Sequence, residues 1–132
     1  MRSTALSAAA ILVLLAGCAR SPVVLPPASA SPAIVLDAYL DALQSGDCRV
    51  ARALATAGFA DQSDAFCSGV RVTAYSVFPD PSIVNGNYVE FTLSLTTSGR
   101  DETLLAGSHT WFYALTRQTG GAWRVDGGGD GP

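Results

Sequence analysis

A helical opening followed by a run of alternating strands predicts an α+β domain, with N-terminal helices packed on a curved antiparallel sheet of about four strands. Three observations carry this expectation. Leu36, Tyr39, Leu40 and Leu43 recur at helical spacing, and from Gly69 onward the apolar period changes to two. After a Pro-rich stretch the chain keeps about a hundred residues, enough for one small domain with a real core but not for two.

The elements follow in order over residues 32–127. Ser31 is placed to cap the first helix, Pro32 suits its first position, and Asp37, Asp41 and Gln44 form its wet face. Gly46 takes the left-handed conformation after Ser45, and Asp47 caps a second helix from Cys48 to about Thr56. The apolar residues of that helix, Ala51, Leu54 and Ala55, imply close helix-to-helix approach, and a short third segment covers Asp61 to Cys67. Val70 to Phe78 is β-rich, Pro79-Asp80-Pro81 breaks it, and Asn85-Gly86 offers the positive φ angles of a tight hairpin turn. Val89, Phe91, Leu93 and Leu95 alternate with Glu90, Thr92, Ser94 and Thr96, a half-buried strand. Ser98 to Asp101 turns the chain into a long strand from about Thr103 to Arg117. Gly120-Gly121 turns again, Trp123-Arg124-Val125 forms the last strand, and 128–132 reads as a flexible tail.

Upstream of the domain, Ala5 to Ala16 is an apolar run too short to span a bilayer, preceded by one positive charge at Arg2. It closes on Leu15-Ala16-Gly17-Cys18, which resembles the lipobox of bacterial lipoproteins. The resemblance implies a signal peptide over 1–17. It also implies a mature chain that begins at Cys18 with a diacylglyceryl thioether and an acylated amine, anchored to the outer leaflet of the cell membrane. An ordinary cleaved signal followed by a chance cysteine is the alternative. Residues 18–31, with Pro22, Pro26 and Pro27, read as an extended tether, although Val23, Val24 and Leu25 are apolar enough to lie against the domain or the membrane. All eight basic residues are Arg, and Ala and Gly abound, which points to a GC-rich, actinobacterial genome.

Loss of the signal removes only Arg2 among the charges, leaving seven Arg against 11 acids, a net charge of −4. The Arg residues are scattered rather than gathered in a stripe, so a nucleic-acid partner is not expected. With Cys18 assigned to lipid, Cys48 and Cys67 remain as a pair in an oxidising compartment, where a disulfide is the default. Two separate buried thiols are the alternative. A structural zinc wants four ligands, whereas the chain has one histidine, His109, and no Cys-x-x-Cys, so no metal or other cofactor is expected.

The run Val35 to Asp47 (VLDAYLDALQSGD) and the later Gly121-Ala122-Trp123-Arg124-Val125 resemble the opening helix and closing strand of the nuclear transport factor 2-like (cystatin-like) superfamily. Behind a lipobox, such a domain is similar to small actinobacterial lipoproteins. The resemblance implies a cone between helix and sheet. In ketosteroid isomerases and polyketide cyclases of that superfamily, the cone holds an acidic base and a Tyr or Asp donor. Tyr39, Asp80 and His109 are the residues able to converge there. Against that reading, Asp37 and Asp41 fall on a wet face, Asp80 between two prolines suits a turn, and His109 between Ser108 and Thr110 suits a strand surface. No Gly-x-Ser-x-Gly elbow is present, and Gly127-Gly128-Gly129 opens no helix that would cradle phosphate.

The aromatics carry more. His109, Trp111, Tyr113 and Leu115 share one strand face, while Phe112 and Ala114 share the other, so both faces hold apolar bulk. Tyr39, Phe91, His109, Trp111 and Tyr113 are the expected pocket lining, or simply core. The expected function is non-catalytic binding of a small apolar ligand or an envelope protein, with a homodimer through the sheet face as a further arrangement. An isomerase- or cyclase-like enzyme is the alternative.

Overall fold

The computed structural model describes residues 21–62, 65–101 and 104–130; the signal segment 1–17 and Cys18 lie outside this range. Helix α1 (Pro32–Ser45) starts where Ser31 Oγ accepts the Ile34 amide at 3.4 Å and Pro32 fills the first turn. It stops at Gly46, whose φ of 77° lets the Gly46 amide donate to Leu43 and the Asp47 amide donate to Ala42. Asp47 then caps α2 (Cys48–Leu54) by accepting the Val50 amide at 3.1 Å.

Helix α2 ends before Thr56 because the chain turns extended at Ala55, which forms a parallel bridge with Val125. The Thr56 amide donates to the Val125 carbonyl at 2.8 Å, and its hydroxyl donates to Asp126 at 2.7 Å. In place of one short segment over Asp61 to Cys67 there are two, α3 (Ala57–Gln62) and α4 (Ala65–Ser68).

The strands are β1 (Val70–Val77), β2 (Ile83–Asn85), β3 (Tyr88–Gly99), β4 (Gly107–Arg117) and β5 (Trp123–Gly129). They form one antiparallel sheet in the order β1-β3-β4-β5, with β2 beside the first residues of β3 on the edge that β1 occupies further along. The expected four strands are thus five, because Ile83 to Asn85 pairs in a hairpin with Tyr88 to Glu90. That hairpin turns on Gly86-Asn87, with a positive φ at Gly86 alone, the type II′ pattern, rather than on Asn85-Gly86. Strand β4 starts at Gly107 instead of near Thr103, and Leu104 bonds back to Asp101 rather than across the sheet: the Leu104 amide donates to Asp101 Oδ1 at 2.7 Å. The tail boundary at 128 is also corrected, because Gly127, Gly128 and Gly129 pair with Ala114, Tyr113 and Phe112 as the end of β5.

Strict alternation on β3 and β4 sets two faces. The inner face carries Val89, Phe91, Leu93 and Leu95 of β3, Trp111, Tyr113 and Leu115 of β4, and Val125 of β5. It packs on Leu36, Tyr39, Leu40 and Leu43 of α1 and on Val50 and Leu54 of α2. The tether is not wholly free: Ala30 is buried and Val23 packs half-buried on the core, while Val24 is exposed. Among the described residues, no helix is long and apolar enough to cross a membrane.

Candidate functional site

The helix-sheet interior gathers four of the five expected pocket residues. Tyr39 comes from the middle of α1, Phe91 from β3, and Trp111 and Tyr113 from β4, where residues two apart share a face. Tyr39 and Tyr113 are wholly buried and meet edge to face, ring centroids 5.3 Å apart. Phe59 of α3 caps Tyr113 at 6.3 Å, and Phe66 of α4 caps Trp111 at 5.7 Å, both again edge to face. The two short helices therefore act as a roof over the β4 aromatics.

The interior is filled by rings rather than open. Burial pushes the Tyr113 phenol well above its ordinary range, and the Tyr39 hydroxyl beside it pushes the same way. Tyr113 thus stays a neutral phenol, suited to donating a hydrogen bond and unsuited to acting as a base.

The fifth residue, His109, stands at the open end of β4. Its Nε2 is 2.9 Å from the Leu105 carbonyl and 3.4 Å from Thr97 Oγ1, so the ring holds the β3-β4 connection in place. Asp80 is exposed in the loop between β1 and β2 and does not approach Tyr39. Asp37 and Asp41 lie on the exposed side of α1, as their spacing predicts. Asp41 accepts the Tyr75 hydroxyl at 2.6 Å, and partial burial, with the Asp41 charge next, raises the Asp37 carboxyl above the usual range. The three residues named for acid-base chemistry are therefore not brought together.

Cys48 and Cys67 are joined as a disulfide across 19 residues, with Cα atoms 5.9 Å apart, tying α4 to the first turn of α2. Among the described residues, no group of three or more His, Cys, Asp or Glu side chains is arranged to hold a metal.

A second region was not singled out from sequence. On the outer face, Ile83, Glu90, Ala114 and Gly127 stand in one row across β2, β3, β4 and β5. Phe112 and Gly129 are paired beside them in the adjoining row. These residues line a trough of about 520 Å³. Alternation alone assigns Glu90 to the wet face of its strand, but only the strand register brings Ile83 and Gly127 to its sides.

No family model matches this chain, and no curated protein does. Among solved structures, it is similar to the solution structure of a SEC-C motif containing protein from Rhodopseudomonas palustris, with a TM-score of 0.61 and 14% identity. The match covers 80% of this chain and 83% of that one. At this identity the likeness concerns the fold alone, and it agrees with the α+β architecture.

Proposed function

We propose that this chain is a lipid-anchored, extracytoplasmic accessory domain of the nuclear transport factor 2-like type, which acts by binding a protein partner rather than by catalysis. The observation that carries the reading is the filled interior. Tyr39, Tyr113, Leu93 and Leu115 have no solvent exposure, and Phe59 and Phe66 close the space above them. The clefts at the tether, the outer sheet face and the disulfide corner are lined by none of Tyr39, Trp111 and Tyr113. A small apolar ligand needs a concave, largely preformed space. A protein partner needs only a face, and the outer side of the sheet supplies one with Phe112 half-buried and Ile83 exposed.

An isomerase- or cyclase-like enzyme would hold a carboxylate beside its substrate in a dry pocket. Here Asp37, Asp41 and Asp80 face water and His109 is engaged by Leu105, which favours the binding reading. The anchor follows from the lipobox resemblance at Leu15 to Cys18.

Two measurements test the whole. Cys18→Ser should release the protein from the membrane fraction, and the intact mass of the wild-type protein should carry the acyl chains; an unlipidated wild-type N-terminus overturns the anchor. In a strain lacking the gene, Asp80→Ala and His109→Ala should each complement fully. A folded variant of either that fails to complement transfers the assignment to the enzyme.

A further inference from the structure

Gly127 and Gly129 are not explained by the fold. Neither has a positive φ, a Cβ on Gly129 would meet nothing within 4 Å, and one on Gly127 would touch only the Ala114 Cβ at an ordinary 3.8 Å. Strand interiors disfavour glycine, since it packs nothing and costs backbone entropy. Their effect is to leave the outer surface of β5 bare beside Ala114, so the trough has a low floor. Its walls are Ile83 on one side and the half-buried ring of Phe112 on the other.

Glu90 stands in that trough, and its carboxylate is held from two sides. Tyr88 donates to Oε2 at 3.0 Å, and the Ser82 hydroxyl, 3.2 Å from Oε1, shares its one proton with the Glu90 carbonyl at 3.1 Å. No ion pair engages Glu90 among the described residues; Arg124, the basic side chain on the outer face of β5, donates back to the Trp123 carbonyl at 2.8 Å. Asp130 adds a second acid at the rim. A fixed, unneutralised carboxylate beside an aromatic ring and apolar walls is complementary to an organic cation. A second copy of this chain would bring acid against acid under twofold symmetry, because the same patch meets itself.

We propose that the outer-face trough is a recognition site for an arginine side chain presented by the protein partner, its guanidinium paired to Glu90 and stacked on Phe112. The proposal rests on the accessory-domain reading and names the chemistry of its partner. Arginine fits better than lysine because its planar, weakly hydrated guanidinium both forks onto a carboxylate and stacks on a ring.

The test uses the isotope-labelled full chain in maltoside detergent micelles, titrated by NMR with acetyl-arginine-N-methylamide and with the lysine and norleucine counterparts. Arginine should shift the amides of Glu90, Phe112, Ala114 and Gly127 to Gly129 saturably. Lysine should bind about fivefold more weakly, and norleucine should leave these amides unmoved. Glu90→Gln should weaken arginine binding by about tenfold or more. Gly129→Leu, which fills the trough where there is room, should abolish it with the rest of the spectrum unchanged. Equal shifts with norleucine, an unchanged affinity in folded Glu90→Gln, or shifts elsewhere on the molecule would overturn the proposal. Concentration-dependent shifts of the same amides without any probe, with dimers in sedimentation, would give this face to a second copy and overturn it too. None of these outcomes touches lipidation or the complementation results, so the accessory-domain reading fails or stands separately.

Discussion

Phe112 and Tyr113 are sequence neighbours on β4, and each faces a glycine of β5, yet their surroundings differ completely. The Tyr113 ring is wholly buried against Tyr39 and Phe59, and its edge lies where a Cβ on Gly128 would sit, 2.5 Å from the ring. The Phe112 ring is half-exposed, and a Cβ on its partner Gly129 would meet open space. One glycine is required by packing and the other is not. On the inner face, then, the fold accounts for residue identity down to a single methyl group; on the outer face it leaves identity free for recognition.

The largest expected effect lies inside. Tyr113→Ala should cost about 3 to 5 kcal/mol, and Phe112→Ala less than about 1 kcal/mol, because only the first leaves a cavity among fixed neighbours. At the usual few degrees per kcal/mol for a domain of this size, thermal melts separate the two easily; equal losses would break the comparison of the faces. Removing the staple by Cys48→Ser with Cys67→Ser should cost about 3 kcal/mol on the chain-entropy account. Hydrogen exchange should then quicken at Trp111, under the Phe66 roof, more than at outward-facing Thr110; uniform quickening would mean the disulfide does not act through the roof.

Smaller effects sharpen the same contrast. Gly128→Ala should cost about 1 to 3 kcal/mol through overpacking against Tyr113. Gly129→Ala should be neutral or slightly stabilising, by up to about 0.5 kcal/mol, since it removes backbone freedom from the unfolded chain. Chemical denaturation of the pair decides this, and reversed signs would refute the register of β5. Smallest of all is a charge effect on the far side of α1. Asp37 and Asp41 are four apart on one helix face, and Asp37 has its carboxyl raised in the folded state. A raised acid favours folding only while protonated, so its contribution is lost as pH climbs through the folded value, and at neutral pH it is a cost. Asp37→Asn should therefore stabilise at pH 7 by about 0.3 kcal/mol. The gain should fade in acid; a gain that persists below the carboxylate range would rule out this origin.

Much of the inner face was legible in the sequence. Leu36, Tyr39, Leu40 and Leu43 announce α1, Gly46 and Asp47 announce the turn, and the alternation from Val89 to Leu95 announces β3, because each signal is local and burial reinforces it. What was not legible depends on partners far away in the chain. Strand β2 is three exposed residues with no alternation to read, and it exists because Tyr88 to Glu90 pairs with it. Glycines 127 to 129 read as coil by propensity, and pairing with β4 overrides this. Helix α2 stops short because Val125, 70 residues beyond Ala55, captures that residue into the bridge. The trough around Glu90 is hidden for the same reason, its members lying on four strands.

The bridge between Ala55 and Val125 also sets an order in time. Val125 is wholly buried, and it joins the connection after α2 to a strand near the chain's end. A chain made from its N-terminus holds α1 to α4 and most of the sheet before this residue exists, with Leu115 and the parts of α1, α2 and α3 that meet β5 still uncovered. Closure therefore waits for β5, and the domain folds only once that strand has been made. Trimming residues 123–130 would leave that wait without an end, whereas additions beyond them would not prolong it.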